Sequence, residues 1–338
     1  MPDPGAGFTR RSSSTLSAMQ CPRYAYLRRM CGLRGRKPPG GWKGAWAVGS
    51  VVHSLMEMHL RPDDAVGMPM RGTDGEPVLG TQDDVYDYYV DKRGFSEEVV
   101  SQAKAAWERY IYTYSGDQGL CQRIVGRPEP NVDADLSVLV PDADGPIPYS
   151  ARYDAIAYVE HGNGVEAIEH KTVTTFSRNV VDRHSGNGQI VGQHALWEAR
   201  PDLQEKFGPF QGVLMNLIVR TGKLRAHRES VVVSSKQIRW FARQVGRMNA
   251  IIDENLARHE EATTLTSARR RVLVDAIWPQ LGILHNQCQG AWGPCPMQEV
   301  CSTECVSAAR YEAAEDGIAL LTGDALFSVD SDLGTYTR

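Results

Sequence analysis

The chain has 338 residues, of which 42% are hydrophobic, and its net charge is −4. This length and apolar content allow a large core in one or two domains, so we expect a folded globular protein. The sequence contains no long apolar run, and its N-terminus lacks the charged-then-apolar pattern of a secretory signal. These features argue against membrane insertion and export, and we expect a cytoplasmic protein that contacts no membrane.

Basic residues are concentrated in the N-terminal segment. Residues 1–43 contain a single acid, Asp3, and a balance of +8 follows from nine basic side chains: Arg10, Arg11, Arg23, Arg28, Arg29, Arg34, Arg36, Lys37 and Lys43. This excess predicts a phosphate-binding surface, with a solvated, disordered basic arm as the alternative. Residues 1–12, which are rich in Pro, Gly and Arg, are expected to be disordered.

Helices are expected in the first 130 residues. The serines at 12–14 can cap a helix that contains Cys21 and has four apolar positions, Leu16, Met19, Tyr24 and Leu27. A second helix is predicted from about Trp46 to Leu60 and a third around residues 99–110. In the second helix, three residues lie four positions apart and therefore share one face: Gly49, His53 and Glu57.

Short runs rich in β-branched and aromatic residues follow in the centre of the chain. Three consecutive strands, a meander, are predicted at Ala134–Val140, Tyr149–Glu160 and Val165–Thr172. Next come a helix at Gln189–Ala199, strands at Phe210–Val219 and Ser230–Val233, and a long helix over residues 238–256. The predicted fold class is α/β, a small central mixed β-sheet flanked by helices. Residues 311–338 are expected to form a weakly ordered acidic tail.

Two carboxylates and a lysine lie in the last two strands of the meander. Asp154 precedes a Gly-Asn-Gly turn, and Glu169 and Lys171 follow it, two positions apart and therefore on one strand face. The two carboxylates supply the oxygen ligands that Mg²⁺ or Mn²⁺ prefers, and the main-chain carbonyl of His170, the residue between Glu169 and Lys171, can add another. Lys171 can orient water and offset phosphate charge. An isolated E-x-K is more often a surface ion pair.

The order of these motifs resembles the RecB-like branch of the PD-(D/E)XK nuclease superfamily, which includes phage exonucleases and the iron–sulfur nucleases of CRISPR adaptation. In that branch G-x-x-x-H-x-x-x-E precedes the catalytic strands, and Gly49, His53 and Glu57 match it. The resemblance implies a restriction-endonuclease-like core and makes His53 a further metal ligand. The family's Q-x-x-x-Y element is matched by Gln193 and Trp197, although Gln189 competes for the glutamine position.

Four of the seven cysteines lie close together near the C-terminus: Cys288, Cys295, Cys301 and Cys305. Without a secretory signal, this spacing indicates metal ligation and not disulfides. The opening segment Ser13 to Tyr24 also resembles the family's first motif, where one early and three late cysteines hold a 4Fe-4S cluster. The implied ligands are Cys21, Cys288, Cys295 and Cys301, and a local Zn²⁺ site that includes Cys305 is the alternative.

These observations predict a Mg²⁺- or Mn²⁺-dependent deoxyribonuclease, an exonuclease more than an endonuclease, that acts in a bacterial cytoplasm or is encoded by a phage. DNA contacts are expected from Arg23, Arg28 and Trp197. No G-x-x-x-x-G-K-[ST] motif is present, so the chain carries no ATP-driven motor. A catalytically silent iron–sulfur or zinc protein that binds nucleic acid is the alternative.

The predicted organisation is a single nuclease domain over residues 13–310. It is divided into a helical N-terminal part (13–130), a catalytic core (131–260) and a cysteine-rich part (261–310). The cysteine cluster is expected to join the N- and C-terminal parts, and protein partners in recombination or repair are left open.

Overall fold

A computed structural model describes residues 8, 11–35, 40–60, 70–71, 77–78, 81–114, 118–126, 132–160, 162–221, 226–279, 289–290, 293–295, 297, 300–301, 305–306, 311–312 and 328–329. Its helices are α1 (Ser13–Ala18), α2 (Pro22–Ala25), α3 (Ala45–His59), α4 (Gln82–Asp87), α5 (Glu97–Thr113), α6 (Gln118–Cys121), α7 (Arg178–Ser185), α8 (Gly188–Glu198), α9 (Pro201–Phe207), α10 (Ser235–Thr263) and α11 (Ser267–Ile277).

The strands are β1 (Arg34–Gly35), β2 (Met70–Arg71), β3 (Pro77–Val78), β4 (Ile124–Gly126), β5 (Val132–Asp135), β6 (Pro148–Ala151), β7 (Ala155–Tyr158), β8 (Val165–Val173), β9 (Phe210–Val219), β10 (Ala226–Val231), β11 (Gln289–Gly290), β12 (Gly293–Pro294), β13 (Cys305–Val306), β14 (Tyr311–Glu312) and β15 (Ser328–Val329). The fold class is therefore α/β, as predicted.

The chain forms two compact units. The central unit consists of Lys37–Asp142 and Ala151–Ala242, and the terminal unit consists of Met1–Arg36, Ala143–Ser150 and Arg243–Arg338. The two ends of the chain therefore fold into one unit, and the middle of the chain forms the other. The predicted division of a single domain into three consecutive parts stays a prediction.

A mixed five-stranded sheet organises the central unit, in the order β10-β9-β8-β7-β4. Only the β8–β9 pair is parallel, and the other neighbours in this sheet are antiparallel. Side chains of α3 and α5 share a core cluster with Ile168, Leu214 and Ile218 on one sheet face. Helix α8 covers the other face, where Trp197 stacks on Phe210 with 4.8 Å between ring centroids.

An aromatic core organises the terminal unit. Phe8 and Tyr26 pack on Trp278, with ring centroids 5.8 Å and 6.0 Å away, and all three are fully buried. The Trp278 indole donates to His259 Nδ1 at 3.3 Å. Phe8 falls within the predicted disordered arm, residues 1–12, but is itself buried in this core. Most of the predicted acidic tail, residues 311–338, lies outside the described residues.

The N-terminal helix differs from the prediction because it breaks at Cys21. α1 ends at Ala18, and Cys21 is an extended residue that caps α2, whose first residue is Pro22. A proline has no N–H for the preceding turn and disfavours helical backbone at the residue before it, so two short helices replace the single predicted one.

Two of the predicted central strands are also corrected. The run Ala134–Val140 is mostly a 3₁₀ turn, because the Asp135 carboxylate accepts from the Ser137 amide at 2.9 Å and ends β5. The run Tyr149–Glu160 divides into β6 and β7, and Asp154 lies in the gap between them. β5 is not part of the five-stranded sheet, so the predicted three-strand meander reduces to the β7–β8 hairpin.

The remaining predicted elements are confirmed, with small shifts of boundary. The helices expected at 46–60, 99–110, 189–199 and 238–256 are α3, α5, α8 and α10. The strand expected at Phe210–Val219 has those bounds, and the one expected near Ser230 begins earlier, at Ala226.

Candidate active site

The C-terminal half of β8 is open on one edge. β7 pairs with β8 only as far as Ala155, which lies opposite Ile168, whereas β9 follows β8 to Val173. Beyond that point the His170 amide donates to Asp154 Oδ2 at 2.9 Å. The N–H and C=O of one residue leave an extended strand on the same side. The His170 carbonyl therefore also faces this open edge, on the side of Asp154.

Three donors surround the Glu169 carboxylate. Lys171 Nζ donates to Oε1 at 2.5 Å, Gln189 Nε2 to the same oxygen at 2.7 Å, and Gln193 Nε2 to Oε2 at 2.8 Å. Lys171 also donates to Gln189 Oε1 at 2.8 Å. Glu169 is 1% exposed, so these bonds replace the water that an ionised carboxylate otherwise requires.

Helix α8 presents both glutamines to the strand. Its N-cap is Asn187, whose side chain accepts from the amides of Gln189 and Ile190 at 3.0 Å each. Residues four apart lie on the same helix face, so Gln189 and Gln193 point together at Glu169. The sequence predicted Gln193 in the site, and the structure places Gln189, one helical turn earlier, beside it.

A small cleft lies beside Asp154 in the central unit. The residues around it come from α3 and from the open edge of β8: His53, Met56, Glu57, Leu60, Arg152, Asp154 and His170. His53 Nδ1 is 3.6 Å from Asp154 Oδ2, and Arg152 pairs with Glu57 at 3.4 Å. The G-x-x-x-H-x-x-x-E helix therefore brings its histidine and its glutamate to one cleft with Asp154.

Burial and neighbouring charges shift the pKa values of the two carboxyl groups of this site, Asp154 and Glu169, in opposite directions. Burial and the charge of Asp154 raise the pKa of Glu169 above its usual range. For Asp154 burial acts in the same direction, but His53, the His170 amide and Lys171 together hold its pKa below the usual range. Burial lowers the pKa of the His170 ring to about 3, so this ring is neutral near pH 7.

The chemistry of these groups fits a divalent cation. Two poorly exposed carboxylates, Asp154 and Glu169, are accompanied by one ammonium group, Lys171, so one negative charge is left without a permanent cation. Carboxylate oxygens, a carbonyl and an imidazole are ligands that Mg²⁺ or Mn²⁺ accepts. These side chains are not yet arranged around a common point, however. Within the described residues no three His, Cys, Asp or Glu side chains form a group that could hold a metal ion.

All three residues predicted to contact DNA have partners inside the protein. Trp197 is 1% exposed and packs between Tyr153 and Phe210, so its ring offers no surface on which a base could stack. Arg23 is 6% exposed and bonds to Asp275 and to the Trp278 carbonyl. Arg28 is partly buried and bonds to the Leu33 carbonyl at 3.3 Å. The spacing that suggested DNA contact does not reveal burial, which depends on the whole fold.

The predicted cysteine ligands can be located only in part. Cys21 is buried in the terminal unit, and in the same unit Cys295 and Cys301 pack against the core cluster of Trp278. Cys288 and the side chain of Cys305 lie outside the described residues, so the 4Fe-4S cluster and its Zn²⁺ alternative both stay predictions.

The sequence reasoning overlooked a buried polar network on the α3 side of the sheet. Asn216 on β9 is fully buried and contacts His170, Tyr110 and Arg228. A signal existed, because Asn216 interrupts the apolar run from Val213 to Val219, and a buried amide requires partners.

Comparison with known proteins gives no assignment: no protein-family model and no curated protein matches the chain. Within the described residues no helix is both long and apolar enough to cross a membrane. Functional conclusions therefore rest on the geometry of the central unit.

Proposed function

We propose that the chain is a divalent-metal-dependent DNA nuclease, an exonuclease in preference to an endonuclease, that hydrolyses phosphodiester bonds. The observation that carries this proposal is the meeting of Asp154, Glu169 and Lys171 at the open end of β8, with His53 beside them. A surface ion pair would be exposed, whereas Glu169 is almost completely buried and is bonded by three side chains.

Asp154, Glu169, His53 and the His170 carbonyl would hold Mg²⁺ or Mn²⁺. When bound, the ion would lower the pKa of a water molecule and stabilise negative charge on the phosphate. Lys171 is aimed by Glu169 and Gln189, and its ammonium would orient that water and offset phosphate charge. Glu169 accepts three hydrogen bonds from the described residues, only one of them at Oε2, so this oxygen keeps a lone pair with which it could bind the ion.

The second candidate is a catalytically silent nucleic-acid-binding protein. It is favoured by the three hydrogen bonds that Glu169 already accepts inside the protein, and by the finding that no three candidate ligand side chains lie together in the described part of the chain. We retain the nuclease as the first candidate because a silent protein has no need of Asp154, Lys171 and a buried Glu169 together.

The deciding experiment compares the wild-type chain with Lys171→Ala on end-labelled linear and circular DNA in Mg²⁺ or Mn²⁺. We expect the variant to cleave at least about 100-fold more slowly, because a single charge-stabilising donor contributes that much. The exposed Lys236→Ala variant is the matched control and should cleave as the wild type does. Equal degradation by the wild type and Lys171→Ala would sink the proposal, and release of mononucleotides from linear DNA alone would identify an exonuclease.

A 4Fe-4S cluster held by Cys21, Cys288, Cys295 and Cys301 is the second part of the proposal, with Zn²⁺ as the alternative. It is supported by the finding that Cys21, Cys295 and Cys301 all lie in the terminal unit. We derive no catalytic step from it.

A further inference from the structure

The two ring nitrogens of His170 have different surroundings, because only Nδ1 contacts a hydrogen-bonding group of the described residues. Asn216 Nδ2 lies 3.1 Å from His170 Nδ1, and the two residues are opposite each other on β9 and β8. His170 is 2% exposed and lines the cleft with His53 and Asp154. Its side chain points to the opposite sheet face from those of Glu169 and Lys171, so the proposed mechanism has no use for the ring.

The orientation of the Asn216 amide is determined by its other neighbours. Arg228 Nε, which can only donate, lies 3.4 Å from Asn216 Oδ1, so that atom is the amide oxygen. The amide nitrogen then donates to Tyr110 Oη at 3.1 Å and to His170 Nδ1. A flipped amide would set its NH₂ group against the guanidinium, donor against donor.

Arg228 is itself held firmly. Its guanidinium lies 3.7 Å from the centre of the Tyr114 ring and donates to Tyr110 Oη at 2.7 Å. Tyr110 and Asn216 are both fully buried, so water does not compete with this network. The arginine therefore orients the asparagine, and the asparagine orients the histidine.

This network selects one tautomer of His170. Because Asn216 donates to Nδ1, that nitrogen must offer a lone pair and cannot carry a proton, and the proton of the neutral ring is on Nε2. His170 Nε2 has no hydrogen-bond partner among the described residues. The ring edge lies beside the cleft, 6.0 Å between centroids from the perpendicular His53 ring.

We infer that His170 is a phosphate-binding residue of the cleft, whose Nε2–H donates to an oxygen of the DNA backbone, and that Asn216 is its positioning residue. This inference rests on the proposed nuclease function and adds a donor from the opposite sheet face to Lys171. A neutral donor holds phosphate without placing a second positive charge beside the metal ligands.

Two substitutions of His170 separate donation from packing. In His170→Gln the terminal amide reaches the place of Nε2 and can donate into the cleft. In His170→Asn the shorter amide can meet Asn216 but leaves the cleft without a donor. We expect kcat/KM on a single-stranded oligonucleotide to fall about 10- to 100-fold in His170→Asn and to be largely retained in His170→Gln. A structural role alone would lower the melting temperature and the activity of both variants together.

Asn216→Leu and nitrogen NMR test the positioning step without using activity. The ¹⁵N shifts of the His170 ring should show a proton on Nε2 in the wild type and a mixture of tautomers in Asn216→Leu. A wild-type proton on Nδ1, or equal losses in His170→Asn and His170→Gln, would overturn the inference and leave the nuclease proposal standing. Absence of cleavage by the wild type would overturn both, and in that case Lys171→Ala would match the wild type.

Discussion

At the scale of single residues, the site depends on which groups donate hydrogen bonds to one buried carboxylate. Glu169 receives hydrogen bonds from Lys171, Gln189 and Gln193, and only the first is a cation. Neutral amides hold the carboxylate in place without fully compensating its charge, which is consistent with its raised pKa.

Removal of one neutral donor should cost stability. In Gln193→Leu the Glu169 Oε2 atom loses its donor inside the protein, so we expect the free energy of unfolding in urea to fall by about 1–3 kcal/mol. Gln102→Leu is the matched control, because Gln102 donates to Glu98 in an exposed helical pair and should change stability by less than about 0.5 kcal/mol. Equal effects of the two substitutions would contradict this account of Glu169.

The raised pKa of Glu169 predicts how the site responds to acid. As the pH falls, Glu169 takes up a proton at a higher pH than an ordinary glutamate, so metal binding and cleavage should weaken on the acid side before ordinary carboxylates titrate. Carboxyl ¹³C NMR of the metal-free protein measures this titration. In Asp154→Asn one like charge is removed, and the Glu169 pKa should decrease. An unchanged Glu169 titration in that variant would show that Asp154 does not contribute.

At the scale of secondary-structure elements, the β7–β8 hairpin brings Asp154 alongside Glu169. Its turn contains Gly164, whose φ of +109° lies in the region that favours glycine. A Cβ atom added there would lie 2.1 Å from the Pro209 carbonyl oxygen. The turn therefore determines the register in which Ala155 lies opposite Ile168 and Asp154 reaches the His170 amide.

Gly164→Ala should disrupt this register. Backbone strain and the contact with Pro209 act together, so we expect a loss of at least about 2 kcal/mol in unfolding free energy, with loss of cleavage. Gly145→Ala is the comparison, since a Cβ there meets no atom within 4 Å. Thermal melting followed by circular dichroism measures both variants. A Gly164→Ala protein as stable as Gly145→Ala would show that the turn tolerates a side chain.

At the scale of the whole molecule, both ends of the chain contribute to one unit. β1 pairs with β14 through Arg34 and Glu312, and the Arg23 side chain bonds to the Trp278 carbonyl at 2.7 Å. These contacts join segments far apart in sequence, so the terminal unit can form only after most of the chain is available. A metal cluster that used early and late cysteines would stabilise this same arrangement.

The cysteine prediction is tested by metal content. We expect anaerobically purified protein to absorb visible light and to contain iron and sulfide, because thiolates in this early-and-late spacing favour a cluster. Cys21→Ser, Cys295→Ser and Cys301→Ser should each lose most of the iron. Cys121→Ser, in the central unit, should retain it. A colourless protein with stoichiometric zinc would instead support the local Zn²⁺ site.

The sequence by itself determined the fold class, most of the long helices and the strand that carries Glu169 and Lys171. These features depend on the spacing of apolar residues and on turn residues, both of which can be read from neighbouring positions in the chain. The resemblance of its motifs to those of a known family also implied that His53, Asp154 and Gln193 lie near Glu169 and Lys171. The nuclease chemistry inferred from these residues stays a proposal.

Only the tertiary structure decided which polar residues are buried and what they contact. Gln189 joined Glu169 because α8 packs on β8, Trp197 became a core residue, and Asn216 met His170 across two strands. Burial and cross-strand pairing depend on residues far apart in the chain, so local patterns carry little of that information. The direction of the His170 ring, and the proton it can offer to a phosphate, follow from those distant contacts.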